Sequence, residues 1–170
     1  FEIIMLYKIE EEELEYSSFY NIEILKNAVD SLYFKDERDF STEKLAVENG
    51  VEDCLITRLG DGLAPIKSEE ADVVVIAGLG GDVISEIVLK SFDDGKKFSS
   101  FILSPNTHPE KVRRALEKVG HNIVSDNLTE CGKKYYTIIQ SCFCAPDTRE
   151  KLDDKQILFG KFYKTDKVFK

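Results

Sequence analysis

The sequence predicts an open α/β fold in which a mostly parallel sheet ends in an antiparallel hairpin. Residues 73–90 and residues 101–117 each contain a strand, a turn and a helix in that order, which is the pattern that builds a parallel sheet. Residues 122–143 then contain two strands joined only by a turn, and strands joined in this way pair antiparallel.

Four elements are predicted upstream of residue 60. They are a strand at residues 1–8, a strand at 31–35, a helix at 40–49 and a strand at 54–59. Ser41 or Thr42 suits the start of the helix, because a hydroxyl oxygen can accept a hydrogen bond from a free backbone N–H of the first turn. Gly50 follows the last helical residue and suits the end.

The central strand is the clearest element. Val73–Ala77 is a continuous apolar run rich in β-branched residues, as expected for a strand that is buried on both faces. It leads into a glycine-rich turn at residues 78–81 and then a helix. In the second unit, Pro109 suits the first turn of the helix and Gly120 suits its end.

The length of 170 residues predicts one main domain. We assign it to residues 1–146, with residues 1–35 atypical, and we interpret residues 147–170 as a linker and the start of an incomplete C-terminal region. The net charge of −9 comes almost wholly from the first fifty residues. This weighs against a nucleic-acid partner, since Lys and Arg make the phosphate contacts, but the nearly neutral remainder leaves room for a basic face.

The four cysteines indicate neither a metal site nor a disulfide framework, because no C-x-x-C pair occurs and the cysteine density is low. We expect them to be reduced and structural, and we expect no metal. No stretch is typical of a secretory signal or a membrane span, so the sequence predicts a cytoplasmic protein with no membrane partner.

Four predicted strand ends carry candidate binding residues, and ligands of open α/β sheets bind beyond the carboxyl ends of strands. The candidates are Asp36 and Glu37; Gly60, Asp61 and Gly62; Ala77, Gly78, Gly80 and Gly81; and Pro105 and Asn106. A carboxylate after the 31–35 strand can accept hydrogen bonds from two ribose hydroxyls, and Asp61 can accept one from an adenine amino group. The alternatives are a charged loop and a plain turn.

The other two strand ends favour a flat ligand. The glycines of residues 78–81 remove side chains, so that a base or a methyl-bearing group can lie on the backbone, although a tight turn alone would also explain them. The Asn106 amide offers a donor and an acceptor that suit the edge of an extruded base, and Pro105 stiffens that loop. His108 beside them is interpreted as incidental.

The ordered set of motifs resembles a known family. Its segments are Leu59-Gly60-Asp61-Gly62-Leu63, Ala77-Gly78-Leu79-Gly80-Gly81, Ser104-Pro105-Asn106, Glu130-Cys131-Gly132-Lys133-Lys134-Tyr135-Tyr136 and Phe159-Gly160-Lys161-Phe162. Over residues 36–170 the chain resembles the bacterial TrmK-type tRNA (adenine-22-N1)-methyltransferases. That family has a Rossmann-like class I methyltransferase fold, whose sheet also ends in a hairpin.

The resemblance implies S-adenosylmethionine as cofactor, tRNA as partner and methyl transfer to N1 of an adenine, in an enzyme of tRNA processing. It places Asp61 at the cofactor adenine, Asp36 or Glu37 at its ribose, the 78–81 glycines near the methyl group and Asn106 at the target base. Basic residues available for phosphate contacts, or else scattered surface charge, are Lys96, Lys97, Lys111, Arg113, Arg114, Lys133 and Lys134.

The chain departs from the family at its front and at Ser104, where the family has Gln. Its first glycine is Gly50, so the preceding residues lack the glycine turn that wraps the cofactor in the family. This keeps open a degenerate methyltransferase-fold binding module without catalysis. A nicotinamide-dependent oxidoreductase is the other alternative, disfavoured by the hairpin and by the missing G-x-G-x-x-G motif.

Overall fold

The computed structural model describes residues 3–7, 61–131 and 134–162. The chain divides into two compact units, Glu10–Gly60 on one hand and Phe1–Ile9 with Asp61–Lys170 on the other. All described residues belong to the second unit. The elements predicted at 31–35, 40–49 and 54–59, and the candidates Asp36, Glu37 and Gly60, lie outside the described residues.

Five strands, three α-helices and two short 3-10 helices, at Ser68–Glu70 and Pro146–Thr148, make up the regular structure of the described residues. The strands are β1 (Ile3–Tyr7), β2 (Val73–Ala77), β3 (Ser100–Ser104), β4 (His121–Cys131) and β5 (Lys134–Phe143), and the helices are α1 (Gly81–Asp93), α2 (Pro109–Lys118) and α3 (Asp154–Phe159). The two strand–helix units and the hairpin occur where the sequence predicted them. None of these helices is long and apolar enough to cross a membrane.

The strand order is β1-β2-β3-β5-β4, and only β2 and β3 are parallel neighbours among the described strands. The expectation of a mostly parallel sheet is therefore wrong for this part of the chain, whose sheet is mixed. The physical reason is β1, which pairs antiparallel with β2, Ile3 opposite Ala77. A crossover helix sets the direction of the strand that follows it, but no local pattern sets the direction of β1.

The core lies between the sheet and its covering helices. Ile76, Leu103 and Ile139 are fully buried in three neighbouring strands, and Val88 of α1 and Leu116 of α2 are buried against the same cluster. Burying each of these side chains contributes about 1.5–3 kcal/mol. Packing of this kind fixes the two strand–helix units, and with them the loops at the strand ends.

The C-terminal segment packs onto the same core. Leu152 and Ile157 are buried in it, and α3 begins with a capping box at Asp153. The Arg113 guanidinium binds the Asp126 carboxylate through two hydrogen bonds of 2.8 and 3.0 Å and donates a third to the carbonyl oxygen of Ile157. This buried ion pair therefore joins α2, β4 and α3.

His121, at the start of β4, is buried between two aromatic rings. Its ring centroid lies 4.9 Å from that of Phe101 and 5.6 Å from that of Phe143, and its Nδ1 lies 3.2 Å from the Ser141 hydroxyl. Burial, helped by the positive charge of Arg149, lowers the pKa of His121 from 6.5 to about 4. The folded chain therefore holds a neutral imidazole.

We expect this histidine to make folding stability depend on pH. Between pH 6.5 and pH 4 the unfolded chain binds a proton at His121 that the folded chain does not, so stability falls as the pH falls through this window. The full loss is about 3 kcal/mol, since one pKa unit corresponds to 1.36 kcal/mol. Urea unfolding at several pH values, on the parent and on His121→Gln, measures it. An equal pH slope in both proteins would contradict the assignment.

Candidate functional site

Two loops meet at the carboxyl ends of the parallel strands β2 and β3. The backbone N–H of Asn106 donates to the carbonyl oxygen of Leu79 at 2.8 Å, and that of Gly81 donates to the carbonyl oxygen of Thr107 at 2.8 Å. The side-chain Nδ2 of Asn106 donates to the carbonyl oxygen of Gly78, also at 2.8 Å. We call residues 77–81 and 105–107 the rim.

The local sequence explains the shape of the rim. Gly78 has a φ of +83°, a conformation that side chains disfavour, and it turns the chain directly after β2. Ala77 is the last residue of β2 and lies opposite Ser104, the last residue of β3. Pro105 is buried immediately after β3, and the exposed Asn106 follows it.

Gly81 is held against the backbone of the second loop. A Cβ atom added to it would lie 2.3 Å from the carbonyl oxygen of His108 and 2.5 Å from that of Thr107, closer than atoms can approach. The sequence predicted that these glycines leave room for a ligand to lie on the backbone. At Gly81, the space that a side chain would take is instead filled by the neighbouring loop, because the two loops pack and hydrogen bond there.

The orientation of the Asn106 amide is fixed by its partner. The Gly78 carbonyl can only accept, so the NH₂ group must face it, and the amide oxygen Oδ1 is turned the other way. Among the described residues no group donates to that oxygen. Asn106 therefore presents a hydrogen-bond acceptor at the exposed surface of the rim.

Asp61 and Gly62 lie along the side of α1. They border a cavity of about 190 Å³ that extends from Val83, in the first turn of α1, to Asp94 just beyond its end. Asp61 Oδ2 accepts a hydrogen bond of 2.6 Å from the ammonium of Lys90, which lowers the pKa of the Asp61 carboxyl below its ordinary value. The carboxylate is therefore ionised at neutral pH.

Asp61 lies away from the rim along α1. Lys90, the partner of Asp61, lies nine residues after Gly81, which is about 13 Å along the helix axis. The structure thus brings Ala77, Gly78, Gly80, Gly81, Pro105 and Asn106 together at the rim. It places Asp61 and Gly62 beside α1, with Val83 lining the end of the cavity that is nearer the rim.

Most of the candidate phosphate-binding side chains have partners within the protein. Arg113 is buried in its ion pair with Asp126, so it is not available to a phosphate, contrary to the first interpretation. The other three partnered side chains are exposed or half-buried: Lys96 donates to the carbonyls of Leu63 and Ala64, Lys111 pairs with Asp82, and Arg114 pairs with Asp154. Scattered surface charge describes these residues better than one basic face.

Sequence reasoning missed two of the polar contacts of this region. Lys90 was not singled out, although it neutralises Asp61, and Asp82 was not singled out, although its carboxylate pairs with Lys111 and thereby links the starts of α1 and α2. Each pair joins residues 29 positions apart. In the described part of the chain, no group of three or more His, Cys, Asp or Glu side chains could hold a metal ion.

Comparison with known proteins gives one relative by sequence and several by structure. The chain is 31% identical over 99 residues to the tRNA (adenine(22)-N(1))-methyltransferase of Bacillus subtilis (strain 168), a match that spans 58% of this chain but only 42% of that protein. The crystal structure of the B. subtilis m1A22 tRNA methyltransferase TrmK has a TM-score of 0.66 and 28% identity, and the match covers 80% of this chain and 60% of that one.

A second solved structure contains the cofactor. A candidate tRNA (m1A22) methyltransferase from Streptococcus pneumoniae, in complex with S-adenosyl-L-methionine, has a TM-score of 0.65 and 27% identity, over 74% of this chain and 58% of that one. These proteins are distant homologues, and they confirm the TrmK-type resemblance and the Rossmann-like methyltransferase fold. A family model described as a methyltransferase domain matches residues 23–139, more than half of the chain. The chain therefore belongs to the methyltransferase domain family.

Proposed function

We propose that this chain carries the catalytic domain of an S-adenosylmethionine-dependent methyltransferase that acts on N1 of an adenine in tRNA, in the cytoplasm. The observation that carries the proposal is the rim, where Asn106 is locked onto Gly78 and presents an acceptor oxygen beyond the carboxyl ends of β2 and β3. The B. subtilis relative is named for methyl transfer to N1 of adenine 22 of tRNA, which supports the choice of substrate.

The residues beside α1 fit the adenine end of the cofactor. Lys90 occupies only one oxygen of the ionised Asp61 carboxylate, so the other can accept a hydrogen bond from an adenine amino group. A cavity of 190 Å³ suits a ring-sized group, since pockets for whole drug-sized ligands measure about 300–1,000 Å³. The contacts of Asp36 or Glu37 with the ribose, and of Gly60 and Gly62 with the base, stay predictions.

The reaction depends more on positioning the two substrates than on acid–base catalysis. The cofactor supplies a methyl group activated by an adjacent sulfonium. Adenine N1 has an in-plane lone pair, so no strong base is required, and correct positioning can contribute about 7–11 kcal/mol. Asn106 Oδ1 would accept a hydrogen bond from the amino group of the target adenine, next to N1, and Pro105 would restrict the loop that carries it.

The β4–β5 hairpin supports an RNA substrate. Residue 139 of β5 lies opposite Leu103, so residues 134–138 extend beyond the last paired residue of β3, by about 17 Å at 3.4 Å per residue. Within the described part of the chain they pair only with β4. Tyr135 is 57% exposed on this projection, and Lys134 precedes it as the first residue of β5. An exposed aromatic ring beside a lysine suits unpaired bases and phosphates.

A methyl-transfer assay on unmodified tRNA tests the proposal. We expect the parent chain to transfer methyl groups to N1 of adenine and Asn106→Ala to lose about 10²-fold in kcat, the effect of removing one well-placed polar group from an active site. Asn122→Ala is the matched control, because Asn122 also donates from Nδ2 to a carbonyl, that of Thr148 at 2.8 Å, at the start of β4. Equal activity of both variants would refute the role of Asn106.

A binding module without catalysis is the second candidate function. The loop packed against Gly81 and the small Asp61 cavity favour it, because neither provides space for the whole cofactor among the described residues. Calorimetry with S-adenosylmethionine separates the two candidates. Measurable heat that Asp61→Ala abolishes supports the enzyme, whereas no heat at high protein concentration supports the module.

A further inference from the structure

Two thiols lie close together at the end of β5. The Sγ atoms of Cys142 and Cys144 are 3.6 Å apart, and the Cys144 thiol also lies 3.6 Å from the carbonyl oxygen of Cys142. Both side chains are partly exposed. We propose that Cys142 and Cys144 form a redox-active dithiol that closes reversibly to a disulfide by exchange with a low-molecular-weight disulfide.

The backbone arrangement suits closure. Residues two apart on a strand point to the same side, and Cys144 lies just after Phe143, the last residue of β5. The Sγ atoms must approach by about 1.5 Å to reach the disulfide bond length of about 2.05 Å. Because Cys144 is outside the strand, two hydrogen bonds hold its backbone in the described part of the chain: its N–H donates to the Gly120 carbonyl at 3.1 Å, and its carbonyl accepts from Arg149 Nε at 3.4 Å.

The exchange takes place in two successive steps. The Cys144 thiolate attacks one sulfur of an external disulfide such as oxidised glutathione, which releases one thiolate and leaves a mixed disulfide. The Cys142 thiolate then attacks the Cys144 sulfur and releases the second glutathione thiolate, so two electrons pass from the protein to the external disulfide. Burial and the neighbouring Cys144 thiol raise the pKa of Cys142, which suits it to the second step rather than the first.

The dithiol lies away from the rim. Cys142 is opposite Ser100, the first residue of β3, whereas Asn106 lies two residues beyond Ser104, the last residue of that strand. Closing the disulfide is therefore expected to leave methyl transfer unchanged. A negative result for disulfide formation would leave the proposed methyl transfer unaffected, and a negative methyl-transfer assay would leave the dithiol proposal unaffected.

Peptide mapping of the folded chain tests the inference. After incubation with oxidised glutathione, acid quenching and alkylation of free thiols, trypsin releases residues 135–149, which contain Cys142 and Cys144 and no other cysteine. The Cys54→Ser/Cys131→Ser background removes the remaining thiols. We expect this peptide to carry no alkyl group and to be lighter than the dithiol peptide by two hydrogen atoms. Treatment with dithiothreitol is expected to restore the dithiol.

Single variants and a second probe complete the experiment. Cys142→Ser is expected to retain a stable glutathione adduct on Cys144, whereas Cys144→Ser is expected to react more slowly. Phenylarsine oxide binds stably to two neighbouring thiols. It is expected to protect both cysteines of the parent from alkylation, but not the one remaining cysteine of either single variant. A parent peptide that stays reduced, or that carries glutathione without closing, would overturn the inference, as would a lack of protection by the arsenical.

Discussion

Replacing Gly81 with alanine is expected to destabilise the domain by roughly 3 kcal/mol or more. The new Cβ atom would lie 2.3 Å and 2.5 Å from two backbone carbonyl oxygens, of His108 and Thr107, and backbone cannot rotate away as a side chain can. Overpacking costs about 1–3 kcal/mol or more, and the hydrogen bond from Gly81 N–H to Thr107 would be strained as well. Urea unfolding of the variant and the parent measures the difference.

Gly80→Ala is the control for this prediction. Gly80 has a φ of −70°, which alanine adopts without strain, and an added Cβ would meet only the Thr107 hydroxyl oxygen, at 3.1 Å. That side chain can rotate, so we expect a change well below that of Gly81→Ala. Equal losses in the two variants would show that the close approach of the two loops is not what requires glycine at position 81.

Removing the negative charge of Asp126 is the second change with a large expected effect. Asp126→Asn would leave the Arg113 guanidinium buried without its counter-ion, since the two side chains are only 2% and 4% exposed. Breaking a buried pair on one side costs about 3–5 kcal/mol. The backbone N–H of Lys161, which donates to Asp126 at 2.7 Å, would lose a charged acceptor too. Urea unfolding is again the measurement.

An exposed ion pair and a double variant provide the controls. Arg114 lies on α2 like Arg113, but its ion pair with Asp154 of α3 is on the surface. We expect Asp154→Asn to cause no measurable change in the free energy of unfolding, because both side chains are solvated. Arg113→Met combined with Asp126→Leu is expected to recover much of the loss, since no buried charge is left unpaired. An Asp126→Asn variant as stable as the parent would contradict the assigned role of the pair.

The part of the fold that sequence reasoning recovered is the part that local patterns encode. The strand Val73–Ala77 has the predicted bounds, and Pro109 begins α2 as expected, because an apolar run and a proline carry their structural consequence within a few residues. The direction of β1 is not determined by residues close to it in the sequence. It depends on pairing with a strand about seventy residues away, which no local pattern determines.

The candidate site shows the same division. Gly78 was expected to turn the chain, and its φ of +83° agrees. The role of Gly81 could not be read from composition, because it depends on carbonyls more than twenty residues later. Arg113 was interpreted as a surface cation, since only the folded chain reveals the Asp126 carboxylate that buries it. Contacts of long sequence separation are what the sequence alone left open.

The hydrogen bonds across the rim couple its two halves mechanically. Because the turn at Gly78 and Gly81 and the loop at Asn106 are tied by three bonds, neither can move without straining the other. A molecule that orders one loop thus lowers the entropic penalty of ordering the second. By thermodynamic reciprocity, whatever occupies the glycine turn and whatever contacts Asn106 should each tighten the binding of the other.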